Sequence, residues 1–358
     1  MSAVPRSSSP SVTEAPVNFE YGLNFAPLLM HLGITLLVST YQAGKLVVVS
    51  EENGKPSLSF HSFERSMGVA VNPSRICVGA RTSVWTLRSS QDIAQQMAPR
   101  GVDACFLTRS CHFTGDIHIH EMAWAGEELI IANTLFSCLC TLDSNFSFVP
   151  RWKPPFITSL AAEDRCHLNG VALESGKPKY VSVFGETDTE HGWRPGKATG
   201  GCIIDVESNE VVTRGLAMPH SPRVFADKLW ILDSGRGNLS QVDQATGRIV
   251  PIVELPGYTR GVAFVRDAAI IGLSRIRETS TFNGIPIAER RESLKCGVAI
   301  VDLRTGKLAS LLEFKSGVEE VFDVQAMVGV KNPVLSGPYA GQDGNEIIWT
   351  VPSPNPTR

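Results

Sequence analysis

Residues 169–173 read Asn-Gly-Val-Ala-Leu, and close variants of that phrase recur along the chain. Met67-Gly-Val-Ala-Val, His120-Glu-Met-Ala-Trp, Ser221-Pro-Arg-Val-Phe and Arg260-Gly-Val-Ala-Phe keep the same rhythm, and Phe322-Asp-Val-Gln-Ala is a weaker sixth copy. With starts at 67, 120, 169, 221 and 260, the repeat has a period of roughly 40 to 50 residues. After the phrase comes an apolar run, then a run ending in aspartate. Cys138-Leu-Cys-Thr-Leu-Asp143, Gly201-Cys-Ile-Ile-Asp205, Ser240-Gln-Val-Asp243 and Val298-Ala-Ile-Val-Asp302 are those endings. Two continue as Asp-x-x-Thr-Gly, a tight turn into a further strand. Helical periodicity is confined to Ser89–Ala98 and Ile287–Ser293.

Short strands in units of four at this period predict an all-β fold, a β-propeller of six blades, each with four antiparallel strands. Tandem sandwiches would not repeat one phrase six times. A single propeller is expected over residues 18–350, its first blade open to closure by strands from both chain ends. A Ser- and Pro-rich segment, 1–17, and a tail, 351–358, have little to bury and are expected to be disordered.

The 358 residues are 43% hydrophobic and 19% charged, enough apolar surface for a core. A net charge of −3 gives no reason to expect nucleic acid or an anionic membrane as partner. The eight cysteines form no CxxC pair. The N-terminus has no apolar signal-peptide core, and the greasy run 28–49 is broken by His31, Gln42 and Lys45. A reduced, cytoplasmic protein is the expectation. Nucleotide-binding loops, the GxSxG elbow and HExxH are all missing from the sequence.

In a propeller blade the small-apolar phrase suits the innermost strand, and the residue heading it then stands at the mouth of the axis. Met67, His120, Asn169, Ser221, Arg260 and Asp323 occupy that position. His120, His167 and His220 come from three successive units, so closure of the ring would gather them. Three imidazoles on separate strands can hold a divalent transition metal of zinc type with one position open. His118 alternates with His120 and is expected to face away. Arg223 and Arg260, with Asn169, would orient an anionic substrate, and Asp323 or Glu320 would handle protons. Arg275, Arg277, Asp116, Glu163 and Asp164 lie around them in this reading. The polar inserts near 185–196 and 275–294 are lid candidates through His191, Trp193 and Arg194. Cys166, beside His167 on a strand, should face the other way and is a poor nucleophile.

Several phrases resemble a known family. Leu36-Leu-Val-Ser-Thr-Tyr-Gln-Ala-Gly-Lys-Leu, Phe113-Thr-Gly-Asp, Asn133-Thr-Leu-Phe-Ser-Cys-Leu, Glu163-Asp-Arg-Cys-His-Leu-Asn-Gly, Met218-Pro-His-Ser-Pro-Arg and Gly272-Leu-Ser are similar to an uncharacterised, mainly bacterial family. It carries a placeholder name, and some members are fused to tetratricopeptide repeats. The resemblance runs from about residue 20 to 340 and implies no activity. The phrase around His120 follows the family pattern, whereas His118 stands where an acidic residue is usual, which favours His120. More loosely, the arrangement is similar to six-bladed gluconolactonase-like and strictosidine-synthase-like propellers and to the lyase that completes peptide amidation. That likeness implies a metal or polar site in the central funnel.

The resulting expectation is a metal-dependent enzyme, hydrolase or lyase in type, acting on a small anionic or peptide substrate. The rival is a non-catalytic propeller module that binds a protein, a peptide or a small ligand. A deep funnel with converging polar groups would favour the first; a filled channel and an exposed apolar patch would favour the second.

Overall fold

The repeated phrase forms the innermost strand of successive sheets. A computed structural model describes residues 17–276 and 281–351, and in it six antiparallel sheets stand in a ring as the blades of a β-propeller. Inner strands are Val69–Asn72, Ile119–Ala125, Leu168–Glu174, Pro219–Phe225, Tyr258–Val265 and Asp323–Val328. Each touches the next, and the last touches the first. The segments 1–16 and 352–358 and residue Arg277 lie outside the described residues.

Closure joins the two ends of the chain. Blade 1 takes its inner strand from Asp323–Val328 and its other three from Ile34–Thr40, Lys45–Glu52 and Lys55–Ser62. Val328 pairs with Ile34 and Asp323 with Ser39. Two further strands seal other blades. Phe19–Tyr21 adds antiparallel to the outer edge of blade 6, and Pro333–Ser336 adds parallel to the outer strand of blade 2. Both cover an edge that would otherwise present unpaired backbone groups.

Blade-to-blade burial supplies the core. Leu37, Leu46 and Val48 of blade 1 meet Val69, Ile76 and Val78 of blade 2, and comparable apolar clusters fill the other interfaces. The aspartates that end the third strands make the expected turns. Asp143, Asp205, Asp243 and Asp302 each accept the backbone N–H two residues on. These side chains start the turn to the outermost strand.

Of the two expected helices, the first forms as Gln91–Met97 and the second as a 3-10 segment, Pro286–Ser293. A third, Phe25–Leu32, was not expected. It is eight residues long with Phe25, Ala26, Leu29 and Leu32 buried, so its apolar run reads like a strand. Gly33, at φ 66°, ends it by donating its N–H to Leu29 and Met30.

Side chains around the axis clip the blades in pairs. Asp323 Oδ2 of blade 1 accepts from Val69 N–H of blade 2 at 2.8 Å, and Glu121 Oε2 of blade 3 from Val171 N–H of blade 4 at 2.9 Å. Ser221 Oγ of blade 5 accepts from Gly261 N–H of blade 6 at 3.2 Å. Arg223 of blade 5 pairs with Glu121 across the ring. Gly261 shows why the phrase carries glycine. Its φ is +69°, and a Cβ there would lie 2.3 Å from Val324 N of the next blade.

Candidate active site

A left-handed residue precedes the inner strand in three successive blades. His118, His167 and Met218 have φ of 54°, 52° and 46°, immediately before Ile119, Leu168 and Pro219. Such conformations cost about 1–3 kcal/mol each in non-glycine residues and collect at functional sites. Here they turn the chain over the mouth of the axis. The turn also breaks the alternation assumed from sequence, so His118 and His120 both line the same cavity.

That cavity has a volume of about 400 Å³. His120, His167 and His220 stand together on it: the rings of His120 and His167 are 4.8 Å apart and nearly perpendicular, and those of His120 and His220 are 6.3 Å apart. His167 does not share the register of the other two. It sits on the left-handed position itself, two residues before Asn169, the register match of His120.

Every one of these rings spends its Nδ1 inside the protein. Thr134 Oγ1 lies 2.7 Å from His120 Nδ1 and donates its own hydrogen to Leu168 O at 2.6 Å. The hydroxyl can therefore only accept from His120. Ser234 repeats the device: its Oγ lies 3.0 Å from His220 Nδ1 and donates to Thr259 O at 2.6 Å, while Met218 O also accepts from Nδ1 at 3.0 Å. His167 Nδ1 faces both Asp164 carboxylate oxygens, at 2.9 and 3.0 Å. In all three the proton belongs on Nδ1 and the lone pair on Nε2 is left bare. Among the described residues no partner stands on any of these Nε2 atoms. Burial, then the neighbouring His167 and Arg260, hold His120 well below the usual histidine range. Burial, then Arg260 and His167, do the same for His220. Both are neutral near pH 7.

Around this floor Arg260 Nη1 donates to Glu320 Oε1 at 2.7 Å, and its guanidinium lies 4.0 Å from the Phe322 ring centroid. Trp193 Nε1 donates to Asp164 Oδ2 at 3.1 Å, so one carboxylate orients both the indole and the imidazole. His191 and Arg194 line the same wall. The two inserts pack against each other: Phe184 and Trp193 from blade 4 join Ile276, Ile285 and Ile287 from blade 6 around Met218 and Tyr258.

Other expected site residues lie elsewhere. Asp323 is 2% exposed and committed to Val69, Val324 and Gln325, and Arg223 pairs with Glu121; neither lines the cavity. Asn169 is buried and accepts from Ser182 Oγ at 2.7 Å. Asp323 and Arg223 belong to the blade-clipping layer below the floor, whereas Asn169, although in the register of His120, is held within its own blade by Ser182. Cys166 is fully buried, and burial pushes its thiol up to about 12, as an inert core sulfur requires. Among the described residues no group of three or more His, Cys, Asp or Glu is arranged to hold a metal ion. The three histidines meet as stacked and edge-on rings.

The pattern of one family, described as "Domain of unknown function (DUF4915)", matches residues 23–335. The chain belongs to the DUF4915 family. A comparison with curated proteins gives no match. Among solved structures, one titled "Crystal structure of Nidogen/Laminin Complex" is similar with a TM-score of 0.51 and 10% identity, over 83% of this chain and 100% of that one. A protein of unknown function from Bacteroides caccae is similar with a TM-score of 0.53 and 10% identity, over 82% and 99%. At such identity the likeness shows the propeller fold alone for this DUF4915 member. No helix among the described residues is long and apolar enough to cross a membrane.

Proposed function

We propose that the funnel is the active site of an enzyme, hydrolase or lyase in type, that acts on a small anionic molecule with His167 as its proton-transfer group. The observation that carries this reading is the Asp164–His167 pair opening on the cavity. An imidazole whose Nδ1–H is held by a buried carboxylate presents Nε2 as a base. A proton taken by Nε2 from water or a substrate hydroxyl makes an imidazolium, which the carboxylate stabilises. The same proton then passes to the leaving group, so His167 returns to its starting state. His120 and His220, neutral beside it, supply fixed polar contacts without competing for the proton.

The strained backbone supports the same reading. Asp164 and His167 both take φ near +50°, at 47° and 52°, which turns the chain so that the pair opens on the cavity. Trp193 packs against His167, with ring centroids 4.6 Å apart, and walls one side of the pair.

A screen of small anionic esters, lactones and hydroxy acids, read by proton NMR for hydrolysis or elimination, tests the reading. Conversion by the wild type and its loss in His167→Gln, with an unchanged melting temperature, is the expected result. Ligands that bind without any chemical change would make the funnel a binding module instead.

A further inference from the structure

We infer that the molecule this funnel accepts is a small hydroxylated anion, with its hydroxyl groups on the histidine floor and its charge at the arginine rim. The inference rests on the proposed active site and names the chemistry of what fills it.

At His120 and His220 the floor can accept hydrogen bonds and cannot give them. His120 has committed its N–H to Thr134, His220 to Ser234 and Met218 O, and His167 to Asp164. A neutral imidazole has one N–H, so His120 and His220 each offer the cavity only a lone pair. A carbonyl, ether or carboxylate oxygen laid against these atoms would oppose lone pair to lone pair and strand both sides unpaired. A hydroxyl group donates and satisfies them. Cations are the other species that could use bare lone pairs, but each carboxylate lining the cavity among the described residues is already paired: Asp116 with Arg65 and Arg81, Asp164 with His167, and Glu320 with Arg260. The described residues also include no group of three arranged for a metal ion. Uncharged donors remain, and of these the hydroxyl is the compact one that a small anion carries in number.

The rim asks for the opposite sign. Arg260 is already neutralised by Glu320. Arg194 and Arg275 have no carboxylate partner among the described residues. Arg194 lies 5.5 Å from the Trp193 ring centroid, and Arg275 reaches only a backbone carbonyl, Phe314 O, at 3.4 Å. Guanidinium groups left in this state suit carboxylate or phosphate. A cavity of about 400 Å³ takes a compact molecule rather than a polymer. Hydroxyls below and an anion above describe a hydroxy acid or a sugar phosphate of a few carbons.

Calorimetry on the full chain tests this with matched pairs. Glycerate, threonate and ribonate are each compared with the deoxygenated acid, namely propionate, butyrate or pentanoate. Ribose 5-phosphate beside pentyl phosphate covers the phosphate source of charge, and threitol the uncharged case. At least one hydroxylated member should bind ten-fold or more tightly than its counterpart, and threitol should bind more weakly than threonate. His120→Phe keeps a ring but removes an acceptor and should erase the preference. Arg194→Gln, at an exposed position, should weaken the anions several-fold and leave threitol unchanged, which keeps the test decisive if His120→Phe fails to fold. Parity within every pair, or no binding across the panel, would overturn the inference. Proton NMR of the same samples separates the two claims. Selective binding without conversion removes the enzyme reading alone, whereas conversion of the deoxygenated compounds removes this one alone.

Discussion

His167 Nδ1 lies 2.9 Å from Asp164 Oδ2, and the same carboxylate oxygen accepts from Trp193 Nε1 at 3.1 Å. Asp164 thus holds the candidate base and the wall beside it in one geometry. Asp164→Asn removes the charge that stabilises the imidazolium and should lower kcat on any converted substrate by about 10²–10⁴-fold, with KM little changed. Steady-state kinetics on the two proteins check this. An unchanged kcat would remove Asp164 from the mechanism.

Acid should destabilise the fold through the neutral histidines. In the unfolded chain His120 and His220 take up protons near 6.5, but in the folded chain they resist until much lower pH. The unfolded state therefore binds more protons below pH 6.5, and stability falls as pH falls, by up to about 1.4 kcal/mol per histidine per pH unit. His61, which burial lowers to about 4, adds to the same slope. Thermal unfolding between pH 8 and 5 should show a falling Tm that is flatter in His220→Phe. Equal slopes in the two proteins would contradict the assignment.

Thr134→Val should remove two buried hydrogen bonds at once, leaving His120 Nδ1 only the longer contact to His118 O at 3.3 Å. His120 Nδ1 loses its acceptor at 2.7 Å and Leu168 O loses its donor at 2.6 Å. A cost of about 1–3 kcal/mol follows from unsatisfied buried polar atoms. Urea unfolding measures it, and Ser234→Ala should cost a similar amount at the equivalent place beside His220. A neutral Thr134→Val would mean that the relay does not hold His120.

The axial clip gives a larger effect. Glu121 accepts from Val171 N–H and pairs with Arg223, both well shielded from solvent. Glu121→Ala leaves the Arg223 charge with only Asp323 to offset it and should destabilise by about 3 kcal/mol. Adding Arg223→Met should recover much of the loss, because the stranded charge goes with it. Chemical denaturation of the single and double variants settles the pair by its coupling energy.

Much of this was legible before any coordinates. The repeated phrase placed six inner strands, and the aspartates placed the turns after the third strands, because both are local signals with a fixed period. His120 and His220 were legible for the same reason. The left-handed conformations at His118, His167 and Met218 were not, since non-glycine residues carry no mark of positive φ. That is why His118 was expected to point away and His167 was set level with His120. Asp323 and Arg223 were misjudged as funnel groups because the phrase locates the strand but not which side chain crosses beneath the floor. Their contacts join blades more than 100 residues apart in sequence for Glu121 and Arg223, which no local pattern reports.

The claim on which the account turns is that the funnel histidines present bare Nε2 atoms. Long-range proton–nitrogen correlation NMR at pH 7, with ring signals assigned through His120→Phe, His167→Gln and His220→Phe, reads it directly. Nδ1–H tautomers are expected for all three rings, with neutral imidazoles at His120 and His220. Nε2–H tautomers, or a doubly protonated ring at His120 or His220, would contradict it.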